Sequence, residues 1–271
     1  MTSFQRRIRD LANLFAIILI VGIFTGVAGL LFVITGGMSI KNHVVEQQQN
    51  IEFSEVYEGI EEFEIDLASA ELIIASGDEL RVETNDSSIS IKQKKNKLKI
   101  EENGKFLSVF DDTSVILYLP SDAVYEKFNL QSGAGSVSID KLTSKKMNIE
   151  VGAGEATAQY LQAITSADIE VGTGEIYITD GDFNNLKFEV GVGEGYLKGD
   201  LTGKNEIEVG IGELVFTANS PISEYTVEAE TGIGSFTIGS EIITDNCTIG
   251  NGANIIEVNG GIGSIKVDFA Q

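Results

Sequence analysis

A pair of glycines separated by one residue recurs through the second half of the chain at a nearly constant interval. The first glycines of successive pairs are 19, 20, 19, 19, 22 and 29 residues apart. A repeat of about 20 residues is typical of a solenoid, in which each repeat forms one coil stacked on the next. The pairs are Gly133 and Gly135, Gly152 and Gly154, Gly172 and Gly174, Gly191 and Gly193, Gly210 and Gly212, Gly232 and Gly234, and Gly261 and Gly263.

Apolar side chains change parity at each glycine pair. In one repeat, Ile169 and Val171 occupy odd positions before the pair, whereas Ile176 and Ile178 occupy even positions after it. Because side chains alternate strictly along a strand, the chain must bend or bulge at the pair, and glycine supplies the positive φ that such a corner needs. We therefore predict an all-β fold, a parallel β-helix or β-solenoid with about 20 residues per coil. In this predicted solenoid the paired glycines are structural corners, and the residue between them points inward.

An apolar run near the N-terminus, residues 11–37, contains no charged side chain. About 20 apolar residues suffice for a helix to cross the hydrocarbon core of a bilayer. The run is too long for a cleaved signal peptide and lacks a small-x-small cleavage site, so we predict a transmembrane signal anchor, an α-helix. Arg6, Arg7 and Arg9 precede it, and basic residues favour the cytoplasmic side. The expected topology is a single-pass cell-membrane protein with a cytoplasmic tail (1–10) and an extracellular C-terminal domain.

Two glycines four residues apart, Gly22 and Gly26, fall on one face of the predicted anchor helix. This spacing lets two membrane helices approach closely, which would give a weak homo-oligomer. Glycine is also simply common in membrane helices. The sequence leaves both interpretations open.

The residues after the anchor divide into three regions. Residues 38–50 are polar and without apolar periodicity, which predicts a stalk. Residues 51–125 show the alternation of strands but not the glycine repeat, so we expect irregular leading β coils or a β cap. Residues 126–271 carry the repeat and form the predicted solenoid.

The charge balance limits the classes of partner. The chain has 41 acidic and 19 basic residues, with a formal net charge of −22. That charge repels phosphates, which excludes nucleic acid and leaves cations, basic proteins and neutral glycans.

Catalytic residues are also scarce, because His43 and Cys247 are the single histidine and cysteine, and Arg81 is the one arginine after residue 9. We therefore predict a protein that is not an enzyme and needs no cofactor.

Glutamates recur at two fixed positions around the glycine pairs. In a parallel stack they become columns of like charge about 4.8 Å apart. Such columns either face solvent and keep the surface soluble, or are bridged by Ca²⁺ or by a basic partner, since hard cations take carboxylate ligands. The first column is Glu150, Glu170, Glu189, Glu208 and Glu230, and the second is Glu155, Glu175, Glu194 and Glu213.

A group of lysines between residues 92 and 99 is the one basic cluster after the anchor. It lies between two strand-like segments, which is typical of a solvated hairpin tip. Contact with an anionic wall polymer or lipid surface is the alternative.

Several segments in order resemble a known family. They are the alternating stretch 62–82, the segments 98–100 and 116–120, and the repeated blocks of valine, glycine, any residue, glycine and glutamate. Together they resemble the DUF4097 family of bacterial surface proteins, candidate adhesins built of β-strand repeats, over about residues 51–271. The resemblance implies an exported β-solenoid domain, often behind a membrane anchor, with no catalytic residues to carry over.

The first functional hypothesis is a non-catalytic surface scaffold for binding or adhesion, because stacked coils present long faces and the residues offer no catalytic chemistry. Its ligand would be an envelope protein or a glycan. The alternative is an accessory protein in cell-envelope stress or signalling that works through membrane-protein partners.

Overall fold

Strands whose apolar residues alternate with polar ones build almost all of the described chain, so the all-β prediction is confirmed. The computed structural model describes residues 51–103 and 113–270. The predicted tail, anchor and stalk, with Gly22 and Gly26, lie outside the described residues. Among the described residues, no helix has the length and apolarity needed to cross a membrane.

Sixteen strands and one 3-10 turn, Ile222–Glu224, make up these residues. The first seven strands are β1 (Phe53–Val56), β2 (Glu62–Leu67), β3 (Glu71–Gly77), β4 (Arg81–Thr84), β5 (Ile89–Lys94), β6 (Lys97–Glu102) and β7 (Ser114–Pro120). The others are β8 (Tyr125–Ile178), β9 (Gly181–Asn184), β10 (Leu186–Thr202), β11 (Lys204–Pro221), β12 (Tyr225–Glu230), β13 (Ile233–Ile238), β14 (Glu241–Ile242), β15 (Cys247–Gly250) and β16 (Asn254–Ala270).

The central coils stack in parallel and in register. Strand β10 pairs with β8 on one side and with β11 on the other, and Gly193 lies between Gly174 and Gly212. Like residues therefore lie above like residues, as expected for stacked coils. The interior of the stack holds a column of buried valines, Val151, Val171, Val190 and Val209.

The N-terminal end combines one parallel coil with antiparallel strands. Strands β2 and β3 pair in parallel with β8, and on their other side with β6 and β7. Antiparallel β5 then pairs with β6, and β4 with β7, before β1 pairs with β4. The lysine cluster lies on the β5–β6 hairpin, whose turn includes Lys95 at φ 57°.

The C-terminal coils do not follow chain order. Strand β16, the last in sequence, pairs with β11 on one side and with β12 and β13 on the other. It thus inserts between two coils that precede it in the chain, and Gly263 stacks between Gly212 and Gly234. The coil formed by β12 and β13 becomes the terminal one. Short antiparallel strands, β14 and β15, pair with its outer side.

The two glycines of a corner are required for different reasons. Gly193 has φ +139°, and a Cβ added there would lie 1.8 Å from the carbonyl oxygen of Gly174 in the coil below. Gly191 does not have a positive φ, but its Cβ would lie 2.5 Å from the oxygen of Gly172. The expectation of a positive φ throughout the pair is therefore wrong for the first glycine, where close backbone approach excludes a side chain.

The residue between the glycines points outward, and the expectation that it points inward is wrong. Val192 is half-buried, while Ile262 and Ile233 are 51% and 73% exposed. The positive φ lies at the second glycine, and the first glycine and the middle residue of every pair are half-buried or exposed. In the four central coils the valine before the pair fills the interior instead.

Candidate binding surface at the glycine corners

The corners of successive coils form one continuous outer surface, which we call the corner surface. It consists of the two glutamate columns and the middle residues between them. Because each coil is in register with the next, Glu189 lies beside Glu170 and Glu208, and Glu194 beside Glu175 and Glu213. The structure thus brings the predicted glutamates together as two parallel columns.

Polar groups border the first glutamate column. At one end of the column, the Gln131 Nε2 donates to the Glu150 Oε2 at 3.1 Å. At the other end, Asn259 pairs in register with Glu208. Within the column, Lys187 forms an ion pair with Glu189. Glu230 follows Asn259 in the terminal coil, so an amide separates it from the other four glutamates.

Desolvation and, after it, repulsion raise the pKa of two carboxyl groups in the first column. Desolvation among the neighbouring side chains raises the pKa of Glu170, and the charges of Glu189 and Glu150 raise it further. Desolvation and the charge of Glu189 likewise raise the pKa of Glu208. The fold therefore tolerates carboxylates that are held closer together than they would be in the unfolded chain.

The second glutamate column has tyrosine neighbours. Its four members, Glu155, Glu175, Glu194 and Glu213, are all exposed. The Tyr177 hydroxyl donates to the Glu194 Oε2 at 3.1 Å, and the rings of Tyr177 and Tyr196 stack with centroids 6.4 Å apart. Burial, followed by the charge of Glu175, raises the pKa of Tyr177, which keeps its hydroxyl protonated as a donor.

The middle residues grow larger towards the C-terminal end of the stack. The register places Val192 between Thr173 and Ile211, and Ile262 between Ile211 and Ile233. A mostly apolar stripe, half-buried in the central coils and exposed in the last two, therefore separates the two acidic columns. In stack order the stripe is Ala134, Ala153, Thr173, Val192, Ile211, Ile262 and Ile233.

Sequence reasoning missed this stripe and the tyrosine pair. The small or apolar character of the middle residues predicts an interior position, which the structure contradicts. Tyr177 and Tyr196 each stand three residues after the second glycine of a pair, so their common position signals that they are neighbours.

The parts of the chain that the structure describes contain no group of three or more His, Cys, Asp or Glu side chains placed to hold a metal ion.

Comparison with known families identifies the family of the chain. The Toastrack DUF4097 family model matches residues 60–238, about two thirds of the sequence. The chain belongs to the Toastrack DUF4097 family. The family resemblance in the sequence is thereby confirmed. The match ends with β13, so the inserted strand β16 and the short strands β14 and β15 lie beyond the Toastrack region.

Solved structures of bacterial surface proteins are similar to the chain. A candidate cell adhesion protein from Clostridium sporogenes is 18% identical, with 80% of this chain and 98% of that chain covered and a TM-score of 0.37. A candidate adhesin from Parabacteroides distasonis is 14% identical, with coverage of 80% and 95% and a TM-score of 0.38. One from Bacteroides fragilis is 11% identical, with coverage of 79% and 96% and a TM-score of 0.30. No curated protein matches the chain.

Proposed function

We propose that the protein is a non-catalytic binding scaffold of the cell surface, and that its corner surface binds a basic partner protein. The observation that carries the proposal is the pairing of two in-register glutamate columns with an apolar stripe between them. A segment that alternates basic and apolar side chains complements both features. The solenoid supplies the rigid, extended surface that such a partner needs.

The raised pKa values in the first glutamate column support a basic partner. Desolvation, and then the charges of neighbouring glutamates, make the charged forms of Glu170 and Glu208 unfavourable. A cationic side chain from a partner relieves the part that comes from repulsion. The second column offers exposed carboxylates, and the adjacent tyrosine faces can receive a lysine or arginine. Both columns therefore favour the same class of ligand.

Binding of a lysine-rich peptide to the full-length protein tests the proposal. We expect saturable binding that weakens as salt is raised, because exposed charges are screened. A variant with Glu155→Gln, Glu175→Gln, Glu194→Gln and Glu213→Gln should lose about tenfold in affinity, since each lost contact contributes a few tenths of a kcal/mol.

A matched control removes the same amount of charge elsewhere. Glu52, Glu58, Glu79 and Asp122 are exposed and lie outside the corner surface. The corresponding variant, with glutamine or asparagine at these four positions, should bind like the wild type. Equal losses in both variants would show that net charge, and not the corner surface, attracts the peptide.

The proposed membrane topology of the protein rests on the apolar run 11–37 and the arginines before it. The anchor holds the scaffold at the membrane with the strands outside the cell. Protease added to intact cells should remove the epitope of a tag placed after residue 271 and leave a small membrane-bound fragment. A tag that resists digestion until the cells are lysed would contradict the outward orientation.

A further inference from the structure

A cavity opens at the C-terminal end of the stack, where the corner surface ends. Its volume is about 310 Å³. Apolar side chains of the interior, among them Val209, Phe236 and Ile265, form its floor, and residues 242–244 form one wall. We call it the terminal cavity.

The terminal cavity lies where the column of buried valines stops, before the end of the stack. In the inserted strand β16, Gly260 takes the position in register with Val209. No side chain extends from this position, and Ile265 occupies the space beside it, since a Cβ added at Gly260 would lie 3.1 Å from the Ile265 Cδ1.

Residues 243–246 cross the end of the terminal coil and are fixed at both ends. The Ile243 N–H donates to the Phe236 carbonyl oxygen at 2.8 Å, and the Thr231 N–H donates to the Asn246 Oδ1 at 3.0 Å. Between these two bonds, strand β13 has no paired strand on its outer side at residues 233–236 among the described residues. The segment therefore borders the cavity without filling it.

The rim of the cavity is apolar and acidic. Ile233 and Ile242 line it and are 73% and 76% exposed, which is unusual for large apolar side chains. Glu230, Glu241 and Asp245 are exposed beside the lining residues. Between Lys204 and Lys266 the sequence has no basic residue, and Lys266, which pairs in register with Thr237, forms an ion pair with Asp268 at 2.7 Å.

We propose that the terminal cavity receives one large apolar side chain from the basic partner segment, and so anchors the end of that segment. The inference rests on the proposed function and specifies where the partner docks. Ile233 continues the apolar stripe of the corner surface directly into the rim. A basic segment complements the acidic rim, whereas a second copy of a chain with net charge −22 is repelled.

Two short lysine-rich peptides test the inference on the full-length protein, one with a central phenylalanine and one with serine at that position. The phenylalanine peptide should bind about tenfold more tightly, because its ring is removed from water. The double variant Ile233→Ser, Ile242→Ser should abolish that difference without changing the charge. The control Ile164→Ser alters an isoleucine that is 47% exposed and lies outside the terminal cavity, and should preserve the difference.

The other outcomes separate the two proposals. Equal affinity of the peptides for the wild type would overturn the terminal docking site and leave the basic-partner proposal standing. Failure of both peptides to bind would overturn both proposals. A concentration-dependent dimer that the double variant abolishes would assign the cavity to a second copy instead, and would also overturn the inference.

Discussion

The backbone groups of the outermost coil, which have no further coil to pair with, are covered differently at the two ends of the stack. At the N-terminal end, the Glu102 Oε2 accepts hydrogen bonds from the backbone N–H groups of Ala68 and Ser69, both at 2.8 Å, and of Ala70 at 3.1 Å. One carboxylate thus replaces the carbonyl oxygens that a further coil would supply. Paired antiparallel strands then cover the coil.

The C-terminal end is covered less completely. Strand β15 pairs with four residues of β12, but β14 pairs with only two residues of β13. The buried valine column ends at Gly260 and the terminal cavity remains. An uncovered sheet edge favours association with other chains, which is why the C-terminal end is the one proposed for binding.

The largest expected effect concerns a corner glycine inside the stack compared with one at the N-terminal end. Gly193→Ala should destabilise the fold by about 4 kcal/mol, from backbone strain and from the clash with the Gly174 oxygen. Gly135→Ala should cost only about 1 to 3 kcal/mol, mostly strain, because its Cβ would lie 3.0 Å from the nearest oxygen. Urea unfolding of the full-length protein, followed by circular dichroism, measures both. Equal losses would contradict the difference between the corners.

Removing the carboxylate that closes the N-terminal end should have the next largest effect. Glu102→Ala removes the acceptor of three backbone N–H groups, two of them at the exposed Ala68 and Ser69 where water can replace it, and should cost about 2 kcal/mol. Glu101→Ala is the matched control, because Glu101 forms an exposed ion pair with Lys99 at 2.7 Å and should cost less than about 1 kcal/mol. The same urea titration checks both variants. A loss of less than 1 kcal/mol on replacing Glu102 would show that it does not cap the coil.

The valine column is interrupted at the N-terminal end as well, by the buried Ser132. Its hydroxyl has no hydrogen-bond partner in the structure. Ser132→Val should stabilise the protein by about 1 kcal/mol, because it removes an unpaired polar group and adds apolar contact. Ser138→Val, at an exposed position, should change stability by less than about 0.5 kcal/mol. Destabilisation by Ser132→Val would mean that the site has no room for the added methyl groups.

The smallest effect is the pH dependence of the first glutamate column. The pKa of Glu170 is raised above its ordinary value of 4.5, so the folded state favours the protonated form. The wild type therefore gains stability as the pH falls from 7 through the raised value. Glu170→Gln should melt at a higher temperature than the wild type at pH 7, and the two melting temperatures should converge near pH 4. A constant difference across this range would exclude the repulsion.

The sequence predicted the corners and the glutamate columns because both follow from a local period. The change of parity at residues 169–178 requires a bend, and the equal spacing of the glutamates requires that they stack. Neither argument depends on which coil lies next to which. The parallel pairing of β8, β10 and β11 follows from the same repeat.

What the sequence could not predict depends on contacts between distant residues. The insertion of β16 between two earlier coils is compatible with the 29-residue spacing. The spacing does not imply it, because the last coil could also have stacked on an open edge. The bonds from Glu102 to residues 68–70 span more than 30 positions and leave no local pattern. The outward direction of Ile233 was missed because apolar character was taken as a sign of burial.

Hydrogen–deuterium exchange of the full-length protein, with and without the phenylalanine peptide, tests most directly whether the C-terminal end is the binding end. Binding there should slow exchange in residues 231–236 and 242–246 and leave residues 62–70 and 97–102 unchanged, since those already lie under a closed cap. The matched serine peptide should give little protection at 231–236. Protection at the N-terminal end, or protection that does not distinguish the two ends, would contradict the assignment of closed and open ends.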